Sequence, residues 1–284
     1  MERPLVSVIC LCYNHTRFVA EALHSVLNQT YQPIQLIVVD DASTDGSQDV
    51  IAGIQADHPD ILFIRLPHNV GNCRAFNMGL KASRGQYIID LAADDVLLPQ
   101  RVADGVSAFD QHGPDYGIQF ADALLIDERG HAVGNHSDRF PHASIPEGDI
   151  YREVINRYFI CSPTMMVRAE VMSRLGGYDE SLAYEDFDFW VRSTRISKCL
   201  YIPRALVKRR LVAGSMRTHQ FTFGSRQLWS TLMVCKKIAD LNRSKAEDSA
   251  LADRLWYELK IAIRLLNFSL CYQYAKLWIR VKVR

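Results

Sequence analysis

The stretch IQLIVVDDASTDGS, residues 34–47, decides how the rest of the chain is read. Its aliphatic run, Leu36-Ile37-Val38-Val39, suits a strand covered on both faces and therefore a parallel sheet flanked by helices. Asp40 and Asp41 follow at its carboxyl end, the edge where open α/β sheets bind ligands. Asp41, Ser43 and Asp45 are also of the types that cap helices. The expectation is that one or two of them cap the next helix and that Asp40 faces a ligand.

Working outward, the first half of the chain alternates. A strand is expected over 5–11, then a helix over 18–27, where Phe18, Ala22 and Val26 form one line and Val19, Leu23 and Leu27 the next. A strand at 35–40 and a helix through Val50, Ile51 and Ile54 follow. Further strands are expected at 61–65, 86–91 and 116–121, with helices near 74–81 and over 100–109. This order implies an α/β fold with a mainly parallel sheet and helices on both faces.

The architecture suits a nucleotide, but not the common phosphate loops. The first strand-to-helix turn reads CYNHTRF, without the Gly-x-Gly-x-x-Gly of a dinucleotide site, and no Gly-x-x-x-x-Gly-Lys-Ser/Thr occurs. The alternative lies in LAADDVLLP, residues 91–99, where Asp94 and Asp95 follow a buried strand. Paired carboxylates hold Mg2+ or Mn2+ against a diphosphate, although either could instead cap the helix after Pro99. A third acidic group comes in LGGYDESLAYEDFDFWVR, residues 175–192. Glu185, Asp186 and Asp188 precede an aromatic run that reads as a helix, where acids also favour the helix dipole. A carboxylate beside Tyr184, Phe187 and Trp190 would be desolvated and made more basic, as a general base requires.

Composition sets the bounds. The 284 residues suffice for one large α/β domain, or a domain with an appendage. A net charge of +1 speaks against nucleic-acid binding, which needs a basic excess. The seven cysteines show no paired metal-ligand spacing beyond Cys10-x-Cys12, so a reduced, cytoplasmic setting is the simplest expectation. The amino terminus lacks the basic start and cleavage site of a signal peptide, and no membrane-spanning run is evident. The three histidines at 131, 136 and 142 lie in a loop-like segment, 128–151, and read as surface residues.

Four segments, in order, resemble the family 2 glycosyltransferases: PLVSVICLCYN (4–14), SVLNQTYQPIQLIVVDDASTDGS (25–47), NVGNCRAFNMGLKASRGQYIIDLAADDVLLP (69–99) and LGGYDESLAYEDFDFWVR (175–192). The resemblance implies a GT-A fold, with a catalytic domain over 1–220 and a helical extension over 221–284. The nucleotide-binding half would cover about 1–122 and the acceptor half about 123–220. It implies that Asp40 contacts the base, that Val6 and Tyr13 line the same pocket, and that Gly71 and Asn72 close over it. Asp94 and Asp95 look like the ribose- and metal-binding acids, and Asp186 like the catalytic base. Glu185, Trp190 and Arg192 would shape the acceptor side. Two positions depart from the family pattern: Ala92 stands where Leu-Asp-x-Asp-Asp has its first acid, and Val212 where Arg-x-His-x-x-Ser has its histidine, with His219 as a nearby substitute.

The implied reaction is inverting transfer of a sugar from a nucleotide diphosphate, UDP favoured, to a saccharide or lipid-linked saccharide hydroxyl. The competing readings are a silent nucleotide-sugar-binding scaffold, which Ala92 and Val212 keep open, and a nucleotidyltransferase. Residues 226–284 read as helices with an apolar stripe through Leu255, Leu259, Ile263, Leu266 and Leu270, and seven Lys/Arg against two acids from Ala252 onward. This tail suits either an anionic membrane surface or a hairpin packed on the catalytic domain or on another subunit.

Overall fold

Alternation along the first strand already separates two core layers. In β1 (Val6–Cys12) the even-numbered side chains Val6, Val8, Cys10 and Cys12 enter one apolar layer, while Ile9 enters the other. The computed structural model describes residues 3–140, 145–212 and 224–284. After β1 come α1 (Val19–Leu27), β2 (Ile34–Asp40), α2 (Ser47–Asp57), β3 (Leu62–Arg65), α3 (Asn72–Ala82) and β4 (Tyr87–Ala92). The aliphatic run of β2 divides the same way, Leu36 and Val38 toward α1, Ile37 and Val39 toward α3 and Phe76. Gly79 lets α3 sit low on the sheet, since a Cβ there would lie 2.5 Å from Cγ2 of Ile9.

The strands β3-β2-β1-β4 are all parallel, as the alternation predicts. Beyond them the sheet is mixed. The chain continues through β5 (Val96–Leu97), α4 (Arg101–His112), β6 (Tyr116–Ile126), β7 (Ala132–Asn135), α5 (Tyr151–Asn156), β8 (Met166–Arg168), α6 (Ala169–Leu175), α7 (Asp186–Thr194) and β9 (Lys198–Arg210). The short β8 lies antiparallel between β4 and β6, so the strand expected at 116–121 does not extend the parallel set; it is also longer, reaching Ile126. β9 then pairs parallel to β6 and antiparallel to β5. Three-residue β8 is too short to carry a periodicity signal, which is why the sequence hides it.

Three further helices, α8 (Arg226–Leu241), α9 (Lys245–Arg264) and α10 (Phe268–Lys282), complete the chain. Side-chain oxygens of Ser225, Ser244 and Asn267 accept from backbone N–H groups at their starts, which explains where each helix begins. They pack on the sheet-bearing body through Leu228, Leu232, Leu251, Leu255, Leu270 and Tyr274, all buried in the core layer that also holds Phe187 and Trp190. The single apolar stripe expected across 255–270 does not exist. Leu266 takes a left-handed φ of 52° and ends α9, so Ile263 and Leu266 are exposed while Leu255 and Leu270 are buried on separate helices. Among the described residues no helix is long and apolar enough to cross a membrane.

Candidate active site

The carboxyl edge of β1, β2 and β4 gathers most of the acidic residues singled out in the sequence. Asp40, at the end of β2, is fully buried. Its Oδ1 accepts from the Ser43 backbone N–H (2.8 Å) and from Gln48 Nε2 (2.7 Å), whereas Oδ2 is buried without a partner. A buried carboxylate oxygen with no donor is costly, so it asks for one from a ligand.

The neighbouring polar residues build loops rather than cap α2 by side chain. Asp45 accepts from Thr16 N–H (2.9 Å) and from Ser47, and Ser43 and Ser47 hydroxyls accept from the N–H groups of Asn14 and His15. The loops after β1 and β2 are thereby stitched together, leaving Tyr13 largely exposed beside them. Asp41 does the same for the next loop. Its two oxygens accept from Val70 N–H (2.7 Å) and Gly71 N–H (2.9 Å), and Gly71 adopts the φ of 88° that glycine tolerates. Asn72, first residue of α3, donates through Nδ2 to Glu185 Oε2 at 2.5 Å and so joins this edge to the start of α7.

Asp94 and Asp95 sit in the turn after β4. Burial and the Asp94 carboxylate push Asp95 up to about 8, and the Arg210 backbone N–H, donating to its Oδ1 at 2.8 Å, partly offsets that rise. Arg210 braces the whole turn: its guanidinium reaches Asp94 O, Asp127 O and Glu21 Oε2 and lies over the Phe18 ring. Two close carboxylates, one nearly buried, form a set that gains from a divalent cation. Mg2+ commonly takes one or two carboxylates together with substrate phosphates, so the pair fits such an ion. Ala92 contributes no donor atom, and among the described residues no three His, Cys, Asp or Glu side chains converge as a metal cage. His219 lies outside the described residues, and Val212 at their margin offers no ligand atom.

A second acid cluster faces the first. Glu185, Asp186 and Asp90 interact closely, and burial drives all three pKa values up; repulsion from neighbouring acids adds to the rise of Glu185 and Asp90, whereas a hydrogen bond with Glu185 holds Asp186 back. Asp90 rises to about 7 although Tyr178 donates its hydroxyl to Oδ2 at 3.0 Å. Asp186 is raised by burial, and Ser162 and Arg209 nearby hold it back. These are the conditions that give a carboxylate the basicity to take a proton near neutral pH.

Asp90 and Arg209 were not singled out in the sequence. Asp90 lies inside an apolar strand, where a lone acid reads as an edge residue. Arg209 keeps its charge: burial works against it, while Cys161, Asp95 and Asp186 around it push its pKa up. It is the cation set between the two acid groups, and only the folding of β9 back beside β6 brings it there.

Three expected site residues are not brought to the acidic edge. Val6 lies at the amino end of β1, fully buried and opposite Ile34 and Tyr87, six residues from the edge; it belongs to the core and not to the pocket. Trp190 is buried and packs its ring against Tyr158 (centroids 5.6 Å apart) in the interior. Arg192 turns to the other side of α7, where Nε meets Asp188 Oδ2 (2.6 Å) and the terminal nitrogens donate to Leu175 O and Gly177 O. Helical rotation explains it: two positions on from Trp190 is roughly 200° around the helix.

The helix that carries Asp186 is held from behind by α8 and α9. Lys237 of α8 donates to Asp188 Oδ1 (2.6 Å) and Asp179 Oδ2 (2.5 Å). Ser230 Oγ accepts from Ala183 N–H, and Tyr184 and Thr231 share a hydroxyl bond of 2.7 Å. On α9, Arg254 and Glu258 form a buried ion pair (2.8 Å), with Arg254 bonded to the Tyr158 hydroxyl and stacked over Phe187.

The mixed α/β sheet thus carries at one edge a buried carboxylate oxygen without a partner, a paired-acid turn and a raised-pKa acid at a helix start. The model of "Glycosyl transferase family 2" matches residues 7–175, more than half of the chain, and the chain belongs to that family. An uncharacterized glycosyltransferase of Methanocaldococcus jannaschii is 30% identical over 200 residues, 68% of this chain and 65% of that protein. One from Rickettsia prowazekii is 29% identical over 214 residues, 74% of this chain and 65% of that protein. The chain thus spans just under two thirds of the length of these relatives. Among solved structures, Staphylococcus aureus TarS 1–349 in complex with UDP-GlcNAc superposes with a TM-score of 0.71 at 17% identity, over 97% of this chain and 79% of that one. The mannosyltransferase PcManGT from Pyrobaculum calidifontis, in complex with GDP-Man and Mn2+, gives 0.67 at 16% identity, over 100% and 87%. The fold is therefore GT-A.

Proposed function

We propose that this protein transfers a sugar, with inversion, from a nucleotide-diphosphate sugar to an acceptor hydroxyl. The observation that carries the reading is the Asp186 carboxylate, half-buried at the start of α7 with its pKa raised, on the same sheet edge as the partnerless Asp40 Oδ2. Asp40 accepts from the imide N–H of the base, which favours UDP, with Tyr13 against the ring. Gly71 and Asn72 close the base side, and Asp94 reaches the ribose. Asp94 and Asp95 are the residues that would hold Mn2+ or Mg2+, which when bound supplies positive charge against the diphosphate. Arg209 adds a fixed cation between that site and the base. Asp186 removes the acceptor proton as the hydroxyl oxygen attacks the anomeric carbon. The bond to the diphosphate breaks on the opposite face, and its electron pair leaves with the nucleoside diphosphate. Glu185 orients the acceptor from beside Asp186.

In this reading residues 1–220 are the catalytic domain, with a nucleotide half to about 122 and an acceptor half beyond it, and 221–284 are a helical extension. The acceptor is a saccharide or lipid-linked saccharide of polysaccharide or glycolipid assembly, handled in the cytoplasm at the inner face of the membrane.

The test is thermal stabilisation by UDP, GDP, dTDP and CMP, each with and without Mn2+. A ligand at about 100 times its Kd stabilises by about 2.7 kcal/mol. UDP is expected to raise the melting point most, and more with Mn2+. No shift with any nucleoside diphosphate would overturn the reading.

A further inference from the structure

Most of the large apolar side chains left exposed among the described residues lie in the layer of α8–α10. On α10 the inner line, Leu270, Tyr274, Leu277 and Val281, is buried. The opposite line is apolar as well: Phe268 is 78% exposed, Tyr272 65% and Ile279 58%. A helix that is apolar on two faces has a second apolar environment to satisfy. Cations border this outer line: Lys276 on α10 and Lys260 and Arg264 on α9 are exposed, as is Arg280, which pairs with Asp240 of α8 at 3.5 Å. The Trp256 and Trp278 rings, 6.1 Å apart, join α9 to α10.

We propose that this outward face of α10, with its flanks on α9 and α8, docks on the surface of an anionic lipid bilayer. Aromatic and aliphatic side chains enter the headgroup boundary while the long Lys and Arg chains reach anionic headgroups. Charge selects this occupant over a second copy of the chain. A two-fold interface sets the same patch against itself, so its exposed cations would face one another. Anionic lipid complements them instead. At 15 residues, α10 lies along the surface, being about 22 Å long against a hydrocarbon core of about 30 Å.

The face also begins beside the candidate active site. Trp229 and Met233, both exposed on α8, flank Ser230 and Thr231, which bond Ala183 and Tyr184 just before Asp186. Lys236 of α8 bonds Gln273 of α10, so the two exposed lines lie on adjacent helices. Docking here would bring the acceptor side of the cleft to the bilayer. For its purpose the inference rests on the proposed lipid-linked acceptor; its test does not, because binding is read without donor or acceptor.

The experiment is co-sedimentation of the full chain with phosphatidylcholine vesicles and with vesicles rich in phosphatidylglycerol. Binding to the anionic vesicles should be at least about tenfold stronger and should weaken as salt is raised. The variants Phe268→Ser/Tyr272→Ser and Lys260→Glu/Lys276→Glu alter exposed positions only. Each should lower binding about tenfold or more while leaving the melting temperature and the nucleotide-induced shift unchanged. The proposal is overturned if the chain ignores anionic vesicles, if neither variant weakens binding, or if the face instead forms a dimer that Phe268→Ser/Tyr272→Ser dissociates. A failed nucleotide shift with intact vesicle binding would count against the transferase reading alone.

Discussion

The sheet edge and the helical layer behind it treat charge in opposite ways. At the edge, Asp40 Oδ2 has no donor, Glu185, Asp186 and Asp90 crowd one another, and Asp95 sits beside Asp94. In the layer, Arg254 meets Glu258, Arg195 meets Glu247 and Lys237 meets both Asp179 and Asp188. Charges left in conflict store free energy that a ligand or a proton can release. Charges paired in the interior contribute geometry, and α7 belongs to both regions: its first residue is the proposed base and its remaining length is clamped.

Separating these two roles most sharply is Asp186→Asn. The variant should lose about a thousandfold or more in kcat while keeping the nucleotide-induced thermal shift. If donor stabilisation disappears with activity, Asp186 belongs to the structural region and the contrast fails.

Next in size is Arg254→Met, which strands Glu258 in an apolar interior. Removing one member of a buried pair costs about 3–5 kcal/mol, a fall in melting temperature of about 6–20 °C. Arg254→Met/Glu258→Gln should regain most of it, because neither change then leaves an uncompensated charge. A double variant no better than the single one would show that Arg254 acts through its stacking on Tyr158 and Phe187.

The smallest expected effect is on pH dependence. Burial, with Asp186 and Glu185 facing it, raises Asp90 to about 7 in the folded protein. An acid with a raised folded pKa favours folding while protonated. Its contribution is whole below the unfolded value of about 3.9 and is lost as pH rises through about 7. Discounted for partial exposure, it amounts to about 2 kcal/mol. Denaturation followed across that window should show stability falling with pH, and Asp90→Asn should flatten the slope. An unchanged slope would place the conflict elsewhere in the cluster.

The first 112 residues were legible, the two-residue β5 excepted, because each buried strand and helix there carries its own period, and the Asp40-Asp41 and Asp94-Asp95 turns interrupt it visibly. The helix that Asp186 begins was legible as an aromatic run after a group of acids. Val6, Trp190 and Arg192 lie away from the acidic edge because a residue's distance along a strand, or rotation around a helix, matters more than its proximity to a motif. Asp90 and Arg209 carried no local signal, since each is one charged residue in an apolar strand.

By itself the sequence determined an alternating, mainly parallel first half, its acidic edge and the helical character of residues 226–284, all consequences of local periodicity and turn chemistry. Tertiary structure decided the rest. It placed β8 between β4 and β6, carried Arg209 between the two acid groups, and split the terminal stripe at Leu266 into one buried and one exposed face. Those outcomes depend on which segments distant in the chain share a low-dielectric interior, and no window of neighbouring residues contains that information.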